Sequence, residues 1–299
     1  MIDLHSHSTA SDGSFTPTEL LQLASEKRLK ALALTDHDTV DGLEEFVNAA
    51  PQFPRVEAVP GIELAACDDI NPNHSFHIVG LYLGGDDSVL RELLADVIRW
   101  RQERNLAIVE RLRSAGVPIT VDLVRECAGH GVIGRPHIAL ALVKCGFAND
   151  VQNAFDRWIA TGKPGYVRRR LPTPAEAIAA IHSMGGVAIW AHPFTRGNFS
   201  VAKIREFAVE LKDVGLDGIE AYYVLHTPVQ QRNVCEIARA TGLMVSGGSD
   251  FHGDRFKRLD LGTGYGGLNV PDFLLEPIRS AALARKRHAT SSEGGAYGT

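Results

Sequence analysis

The chain has 299 residues, of which 44% are hydrophobic and 22% are charged, a composition typical of a globular protein with a large core. Its formal net charge of −5 argues against nonspecific binding of long nucleic acid, because that mode of binding needs a basic surface. No apolar run is long enough to span a bilayer, and the N-terminus lacks a signal-peptide pattern, so we expect a cytoplasmic protein without a membrane partner.

Short apolar strands alternate with amphipathic helices in the first part of the chain. The predicted elements in chain order are a strand at Ile2–Leu4, a helix from the capping box at Thr16 to about Arg28, a strand at Ala31–Leu34, a helix from about Thr39, and extended runs at Val56–Leu64 and Phe76–Leu83. Strands that alternate with helices indicate an α/β barrel or a doubly wound sheet.

The middle of the chain shows helical periodicity without a convincing strand. The predicted helices are Leu90–Arg113, Val121–Cys127, Pro136–Lys144 and Val151–Thr161. We therefore predict an inserted helical lid domain at residues 87–162, with residues 1–86 and 163–299 forming the catalytic domain.

The alternation of strands and helices then resumes. A second capping box at Thr173 opens a helix that ends near Gly185, and strands are predicted at Val187–Trp190, Gly218–Tyr222 and Met244–Ser246. The last dozen residues, which are rich in Ser and Gly, are expected to form a loose tail.

Histidines and carboxylates recur where the predicted strands end. His5 and His7 follow the first strand, and both imidazoles can reach one ion because side chains at i and i+2 point to the same side. Asp250 and His252 repeat this spacing after the last strand. The other candidates at or just beyond strand ends are Asp12, His37, Glu63 and His192. Loops at the carboxyl ends of parallel barrel strands converge, so we predict one shared metal site.

Imidazoles mixed with carboxylates, without thiolates, are typical of a manganese, zinc or iron site rather than a structural zinc site. The candidate ligands exceed what one ion can use, so we expect two or three divalent ions that share Glu63. Manganese is the expected metal, with zinc or iron as alternatives. The competing interpretation, unrelated surface and core histidines, leaves their recurrence at strand ends unexplained.

Two histidines, His74 and His77, precede the apolar run Ile78–Leu83, and in a strand they would face opposite sides. We prefer His77 as the ligand, because it lies where the chain re-enters the sheet. If this run returns antiparallel beside Ile62–Leu64, its start lies at the same end as Glu63. His74 would then support a ligand or contact the substrate.

Six motifs together resemble the polymerase-and-histidinol-phosphatase (PHP) domain family. In chain order they are Asp3-Leu4-His5-Ser6-His7, Ser11-Asp12-Gly13, Thr35-Asp36-His37-Asp38, Pro60-Gly61-Ile62-Glu63, Ala191-His192-Pro193 and Gly248-Ser249-Asp250-Phe251-His252. They span nearly all of the chain. The resemblance implies an α/β fold, a distorted (β/α) barrel of PHP type, with a phosphoesterase centre of two or three metals.

The resemblance also assigns ligands to ions. It places His5, His7, Glu63 and Asp250 around one ion, Glu63, His77 and His192 around a second, and Asp12, His37 and His252 around a third. Asp12 stands where some family members have histidine, a difference that would weaken the third site.

A narrower resemblance, carried by Phe76–Leu81 and the inserted helices, links the chain to the TrpH-like subgroup, which includes ribonuclease AM and 3′,5′-nucleoside bisphosphate phosphatases. It implies a small nucleotide or short oligoribonucleotide substrate. The reaction would remove the 3′-phosphate of a nucleoside 3′,5′-bisphosphate, such as adenosine 3′,5′-bisphosphate, or hydrolyse short 5′-phosphorylated RNA from its 5′ end.

Basic side chains of the lid region are the expected binders of the substrate's 5′-phosphate, since arginine suits bidentate contacts. The candidates are Arg101, Arg104, Arg135, His137 and Lys163, with His130 as a further possible contact. A solvated helix face is the competing interpretation for each of them alone.

In the expected mechanism, water activated by the ions attacks phosphorus in line with the leaving 3′-oxygen. Asp12, His192 and Asp250 act with the metals, and His37 or a metal-bound water protonates the leaving group. Three alternatives stay open: a phosphatase of the same architecture that acts on histidinol phosphate, a noncatalytic metal-binding regulatory domain, and a deaminase or amide hydrolase on a similar barrel.

Overall fold

A computed structural model describes residues 1–68, 74–129, 133–195 and 199–293, with side chains up to residue 288. The chain forms two compact units, one made of Met1–Leu93 with Pro172–Thr299 and the other of Leu94–Leu171. His130 lies outside the described residues. No helix in the described ranges is both long enough and apolar enough to cross a membrane.

A six-stranded sheet forms the centre of the first unit. In chain order its strands are β1 (Ala31–Leu34), β2 (Glu57–Cys67), β3 (Ser75–Leu81), β4 (Val187–Trp190), β5 (Gly218–Tyr223) and β6 (Met244–Gly248). Neighbours in the sheet follow chain order, with β3 antiparallel to β2 and β4 and the other pairs parallel. The structure shows the antiparallel arrangement that was considered for this run, since Ala65 pairs with His77.

The N-terminal segment joins the two edges of this sheet. On one side, the Asp3 N–H donates to the carbonyl of Ala31 (3.0 Å), at β1. On the other side, the Asp250 N–H donates to the carbonyl of His5, and the His7 N–H donates to the carbonyl of Phe251, both at 2.9 Å. The segment makes isolated bridges rather than the regular strand predicted at residues 2–4. The sheet therefore curls into the distorted barrel expected from the sequence.

Helices of the first unit surround this sheet. They are α1 (Pro17–Glu26), α2 (Leu43–Ala49), the start of α3 (Ser88–Ser114), α7 (Pro174–Ser183), α8 (Val201–Asp213), α9 (Pro228–Thr241) and α10 (Leu275–Glu293). Both predicted capping boxes form, at Thr16 and Thr173. The prediction of a loose tail from residue 288 is wrong for residues 288–293, which continue α10. No glycine interrupts this helix before Gly294.

The second unit is helical and has a hydrophobic core of its own. It contains most of α3, then α4 (Val121–Ala128), α5 (Arg135–Lys144) and α6 (Val151–Ala154), which continues as a wider π-helical turn at Phe155–Ile159. Its core includes Ile108, Leu112, Ile119, Ile138, Leu142 and Ile159.

The second unit extends further along the chain than the predicted boundary at residue 162. Residues 163–171, expected in the barrel domain, lie in this unit. Their backbone is tied to it, because the Gly165 N–H donates to the carbonyl of Trp158 (2.8 Å) and Arg104 Nε donates to the carbonyl of Val167 (2.8 Å). Lys163 therefore belongs to the helical unit.

Candidate metal centre

Glu63 lies at the centre of a cluster of histidines. It is fully buried on β2. Its carboxylate oxygens lie 2.6–3.4 Å from imidazole nitrogens of five residues, namely His5, His7, His37, His77 and His192. These histidines come from the N-terminal segment, from the chain after β1 and β4, and from β3. The barrel therefore brings together side chains that are far apart in the sequence.

Three groups of side chains could each hold a cation, since one ligand atom from every member lies within 4.8 Å of the others. The groups are His5–His7–Glu63–Asp250, His37–Glu63–His77 and His7–Asp12–His37–His252. The first is the set expected for one ion. In the second, His37 stands where His192 was expected, although Nε2 of His192 is 2.9 Å from Oε1 of Glu63. The third gains His7.

Several buried polar atoms in these groups make no hydrogen bond of regular geometry with any of the described residues. They are Nε2 of His5, both ring nitrogens of His7, Oε2 of Glu63 and Oδ1 of Asp250. An unpartnered buried polar atom costs about 1–3 kcal/mol, so a cluster of them is unfavourable in a protein without a ligand. A divalent cation accepts lone pairs from both imidazole and carboxylate, and this donor set fits one.

The electrostatics of the cluster favour charged groups of both signs. Burial acts to lower the pKa of His37, but the negative charge of Glu63, whose Oε2 lies 2.8 Å from Nδ1 of His37, raises that pKa to about 9. Burial acts to raise the pKa of Asp12, but a hydrogen bond with His252 and the nearby imidazoles hold it at about 2. Despite burial, the pKa of Glu63 and that of Asp250 lie well below their usual values because of the surrounding histidines. The carboxylates are therefore ionised at neutral pH.

The backbone at the cluster adopts uncommon conformations. Asp38, His192 and Asp250 have positive φ angles of 50°, 31° and 54°, which residues other than glycine rarely adopt. Such angles persist where surrounding contacts enforce them, and they concentrate at functional sites. Gly248 allows a close approach here, since a β-carbon at that position would lie 2.3 Å from Cβ of His5.

Buried residues next to the predicted ligands hold them in place, and the sequence reasoning missed these roles. Glu220 contacts Nδ1 of His5 (3.1 Å) and accepts the backbone N–H of His192 (2.8 Å). The hydroxyl of Tyr223 donates to Oδ2 of Asp250 (2.9 Å). A signal was present in the sequence, because Glu220 is the one charged residue within the apolar strand Gly218–Tyr222.

His74 lies apart from the three groups. Its Nδ1 is 3.3 Å from a carboxylate oxygen of Asp68, and its ring packs edge-on against Phe199 and Phe207. His77, by contrast, is buried with its Nδ1 2.6 Å from Glu63. The structure therefore brings the preferred histidine of this pair to the cluster.

The predicted substrate-binding residues, Arg101, Arg104, Arg135, His137 and Lys163, all lie in the second unit. Burial, together with the positive charges of Arg135 and Arg169, lowers the pKa of Arg104 to about 10. Three cations that repel one another make this part of the unit a candidate anion site. His137 has a local role as well, because its Nδ1 accepts the N–H of Gly134 (3.1 Å) at the start of α5.

Comparisons with known proteins agree with this geometry. The sequence model of the PHP domain matches residues 3–106. The chain is 35% identical over 254 residues to the 5′-3′ exoribonuclease Rnm of Escherichia coli, an alignment that covers 84% of each chain. It is 33% identical to the 3′,5′-nucleoside bisphosphate phosphatase of Chromobacterium violaceum, covering 84% of this chain and 87% of that one.

A solved structure shares the fold. It is a protein from Bifidobacterium adolescentis described as a metal-dependent phosphoesterase, 30% identical to this chain, with a TM-score of 0.70. The superposition covers 93% of this chain and 95% of the other. Sequence and fold thus give the same classification as the histidine and carboxylate cluster: the chain belongs to the PHP family and is a metal-dependent phosphoesterase.

Proposed function

We propose that this enzyme removes the 3′-phosphate of nucleoside 3′,5′-bisphosphates, such as adenosine 3′,5′-bisphosphate, and that it also hydrolyses short 5′-phosphorylated RNA from the 5′ end. The observation that carries the proposal is a cluster of three potential cation sites, of which two include Glu63 and the third shares His7 and His37 with them. The similarity to an exoribonuclease and to a bisphosphate phosphatase supports this choice of substrate.

Two or three divalent ions, with manganese first among the candidates, would be held by the nine predicted ligands. These are His5, His7, Asp12, His37, Glu63, His77, His192, Asp250 and His252. Bound there, the ions would activate water and neutralise charge on the phosphoryl oxygens. As ligands, Asp12, His192 and Asp250 would hold the ions in a fixed position relative to the reacting phosphate.

His37 is the residue proposed to protonate the leaving 3′-oxygen when two ions are bound and His37 holds neither of them. With a third ion on His37, a metal-bound water would take this role. Its side chain is 28% exposed, whereas the side chains of His77 and His252 are each 7% exposed. His5 and His7 are fully buried. Among these imidazoles, His37 is therefore the one that a substrate can reach most readily.

A nucleoside 3′,5′-bisphosphate has a second phosphate, and the basic cluster of Arg104, Arg135 and Arg169 in the second unit is suited to bind it. Arg104 is half-buried beside Arg135 and Arg169, and a bound phosphate would relieve their mutual repulsion. We propose that this cluster, with Arg101 and Lys163, binds the 5′-phosphate. A substrate such as histidinol phosphate has no second phosphate to use these charges.

An exposed aromatic ring beside the metal centre supports a nucleotide substrate. Phe256 is 49% exposed, and its ring packs edge-on against His252 with centroids 5.5 Å apart. Exposed aromatic rings provide stacking surfaces for nucleobases. We propose that Phe256 stacks on the base of the substrate.

The test uses added manganese and three compounds: phosphate release is measured from adenosine 3′,5′-bisphosphate and from histidinol phosphate, and mononucleotide products are measured by chromatography from a 5′-phosphorylated dinucleotide. The proposal predicts the highest kcat/KM with the bisphosphate and cleavage of the dinucleotide to mononucleotides. Preference for histidinol phosphate would replace it with the alternative phosphatase. Absence of hydrolysis by metal-loaded protein would favour the noncatalytic regulatory domain.

A further inference from the structure

Glu220 is a buried carboxylate that bridges two candidate metal ligands. It lies on β5 and is 2% exposed. Its Oε1 is 3.1 Å from Nδ1 of His5, and its Oε2 accepts the backbone N–H of His192 at 2.8 Å. His5 lies in the N-terminal segment and His192 follows β4, so the two residues belong to different parts of the barrel. Both of them contact this one side chain.

The contact with His5 determines which ring nitrogen is available to a cation. Oε1 of Glu220 lies at hydrogen-bond distance from Nδ1 of His5 (3.1 Å), and a carboxylate oxygen is the acceptor in such a pair, so the contact favours the proton on Nδ1. Nε2 points the other way, 3.4 Å from Oε2 of Glu63 and 3.5 Å from Oδ1 of Asp250. With the proton on Nδ1, Nε2 is the ring nitrogen whose lone pair a cation would accept.

The contact with His192 fixes a backbone conformation. His192 has a φ of 31°, and its N–H has Glu220 as hydrogen-bond acceptor. This arrangement directs the His192 ring so that Nε2 lies 2.9 Å from Glu63. Without an acceptor at Glu220, the buried N–H would lose its partner and the uncommon backbone angle would lose a restraint.

We propose that Glu220 is a positioning residue of the metal centre, which holds His5 with its proton on Nδ1 and holds the backbone of His192 so that both rings face Glu63. The inference rests on the proposed role of His5 and His192 as metal ligands. β5 would thus serve the centre without contributing a ligand of its own. Removal of such an outer partner typically costs about 10- to 100-fold in metal affinity.

The variant Glu220→Gln tests this proposal with little change in volume. The amide has one oxygen, so one of the two N–H donors must face the amide NH2 group unless His5 moves its proton to Nε2. We expect the first equivalent of zinc, measured by chelator competition, to bind roughly 10- to 100-fold more weakly. The wild-type protein must bind zinc in the same assay; failure to do so would count against the proposed metal site itself.

Asp217→Asn is the matched control. Asp217 also bridges a histidine ring and a strand amide, since it contacts Nε2 of His182 and accepts the N–H of Ala188, both at 2.8 Å. His182 is not a candidate ligand. We expect this variant to lose stability but to keep wild-type zinc affinity. Equal zinc affinity in folded Glu220→Gln and wild-type protein would overturn the positioning role.

A measurement on the wild-type protein keeps the proposal testable if Glu220→Gln does not fold. In the zinc-loaded enzyme, long-range proton–nitrogen spectra of the imidazoles should show the His5 proton on Nδ1 and the metal on Nε2. A proton on Nε2 of His5, or zinc on its Nδ1, would contradict the assignment.

Discussion

Oε1 of Glu63 lies 2.9 Å from Nε2 of His192, although 129 residues separate them in the chain. Glu63 is on β2 and His192 follows β4, and β3 lies between these strands in the sheet. The two side chains meet because β2 and β4 run in the same direction on either side of β3 in the curled sheet. This contact links the long-range fold to the chemistry of the site.

Glu63→Gln should remove cations from the centre. The substitution takes away the negative charge that the surrounding imidazoles face, and it places an amide nitrogen beside them. We expect fewer metal ions per chain by elemental analysis, and a loss of activity greater than the roughly 10- to 100-fold typical for an outer partner. Glu57→Gln, on the same strand but bound to Arg279 and Tyr82, should keep its metal. Full metal content in Glu63→Gln would refute the shared ligand.

Metal binding should release protons near neutral pH. The pKa of His37 is raised to about 9, and that of His5 is raised despite burial by the charges of Glu220, Glu63 and Asp250. Both imidazoles therefore carry a proton that a cation must displace, so metal affinity should increase with pH. For His37 this increase should level off above about pH 9.

Calorimetric titrations in buffers of different ionisation enthalpy measure this proton release. The same shift affects the stability of the metal-free protein, because the raised pKa of His37 stabilises the fold fully below its usual value of 6.5. That contribution is lost as the pH rises through about 9. A metal affinity that does not change with pH would show that these rings are neutral before the metal binds.

His37→Gln should separate proton donation from metal binding. Loss of a general acid lowers the rate by roughly 10²- to 10⁴-fold when the leaving group needs a proton. We expect that loss with a nucleoside 3′-phosphate and a much smaller one with an aryl phosphate whose leaving group is acidic. Similar losses with both substrates, accompanied by lower metal content, would instead indicate a ligand role. His74→Gln, outside the three groups, is the control.

Arg135→Ala should weaken binding of substrates with two phosphates. A hydrogen bond to a charged group contributes about 1.5–3 kcal/mol, which corresponds to roughly a 10- to 150-fold increase in KM. The KM for a nucleoside 3′-monophosphate should stay unchanged. Arg125→Ala is the matched control in the same unit, since Arg125 is exposed and pairs with Asp122. Unchanged turnover of the bisphosphate by Arg135→Ala would exclude the phosphate-binding role.

Phe256→Ala should raise the KM for nucleotides if the ring stacks on the base. Stacking of a base on an aromatic side chain contributes about 1–3 kcal/mol, or roughly 5- to 150-fold. Phe273→Ala is the control, because Phe273 is also exposed, at 69%, and lies in the turn Asp272–Leu274. An equal KM for wild type and Phe256→Ala would show that the base does not rest on this ring.

Most of the site residues that could be predicted from the sequence are residues that follow a predicted strand. His5, His7 and Asp250 could be found because each follows an apolar run, and the rule that such ends converge in a barrel does not depend on the details of packing. The preference for His77 depended on an antiparallel return of β3, and the structure shows that return, with His77 paired to Ala65, two residues beyond Glu63.

Other features depend on contacts that only the folded chain shows. Glu220 is a mid-strand residue, and its role follows from the approach of the N-terminal segment and the loop after β4 to β5. The later boundary of the helical unit depends on the backbone contacts of Gly165 and Val167. A motif search cannot assign these roles, because neither position carries a recognisable ligand pattern.

Anomalous diffraction from crystals grown with manganese is the sharpest test of a metal centre at Glu63. Strong peaks are expected next to Glu63, with ligand atoms of His5, His7 and Asp250 around one of them at about the 2.0–2.2 Å typical of nitrogen and oxygen donors to such metals. A fully loaded crystal with no peak next to Glu63, or with its metal bound elsewhere in the chain, would show that Glu63 is not a metal ligand.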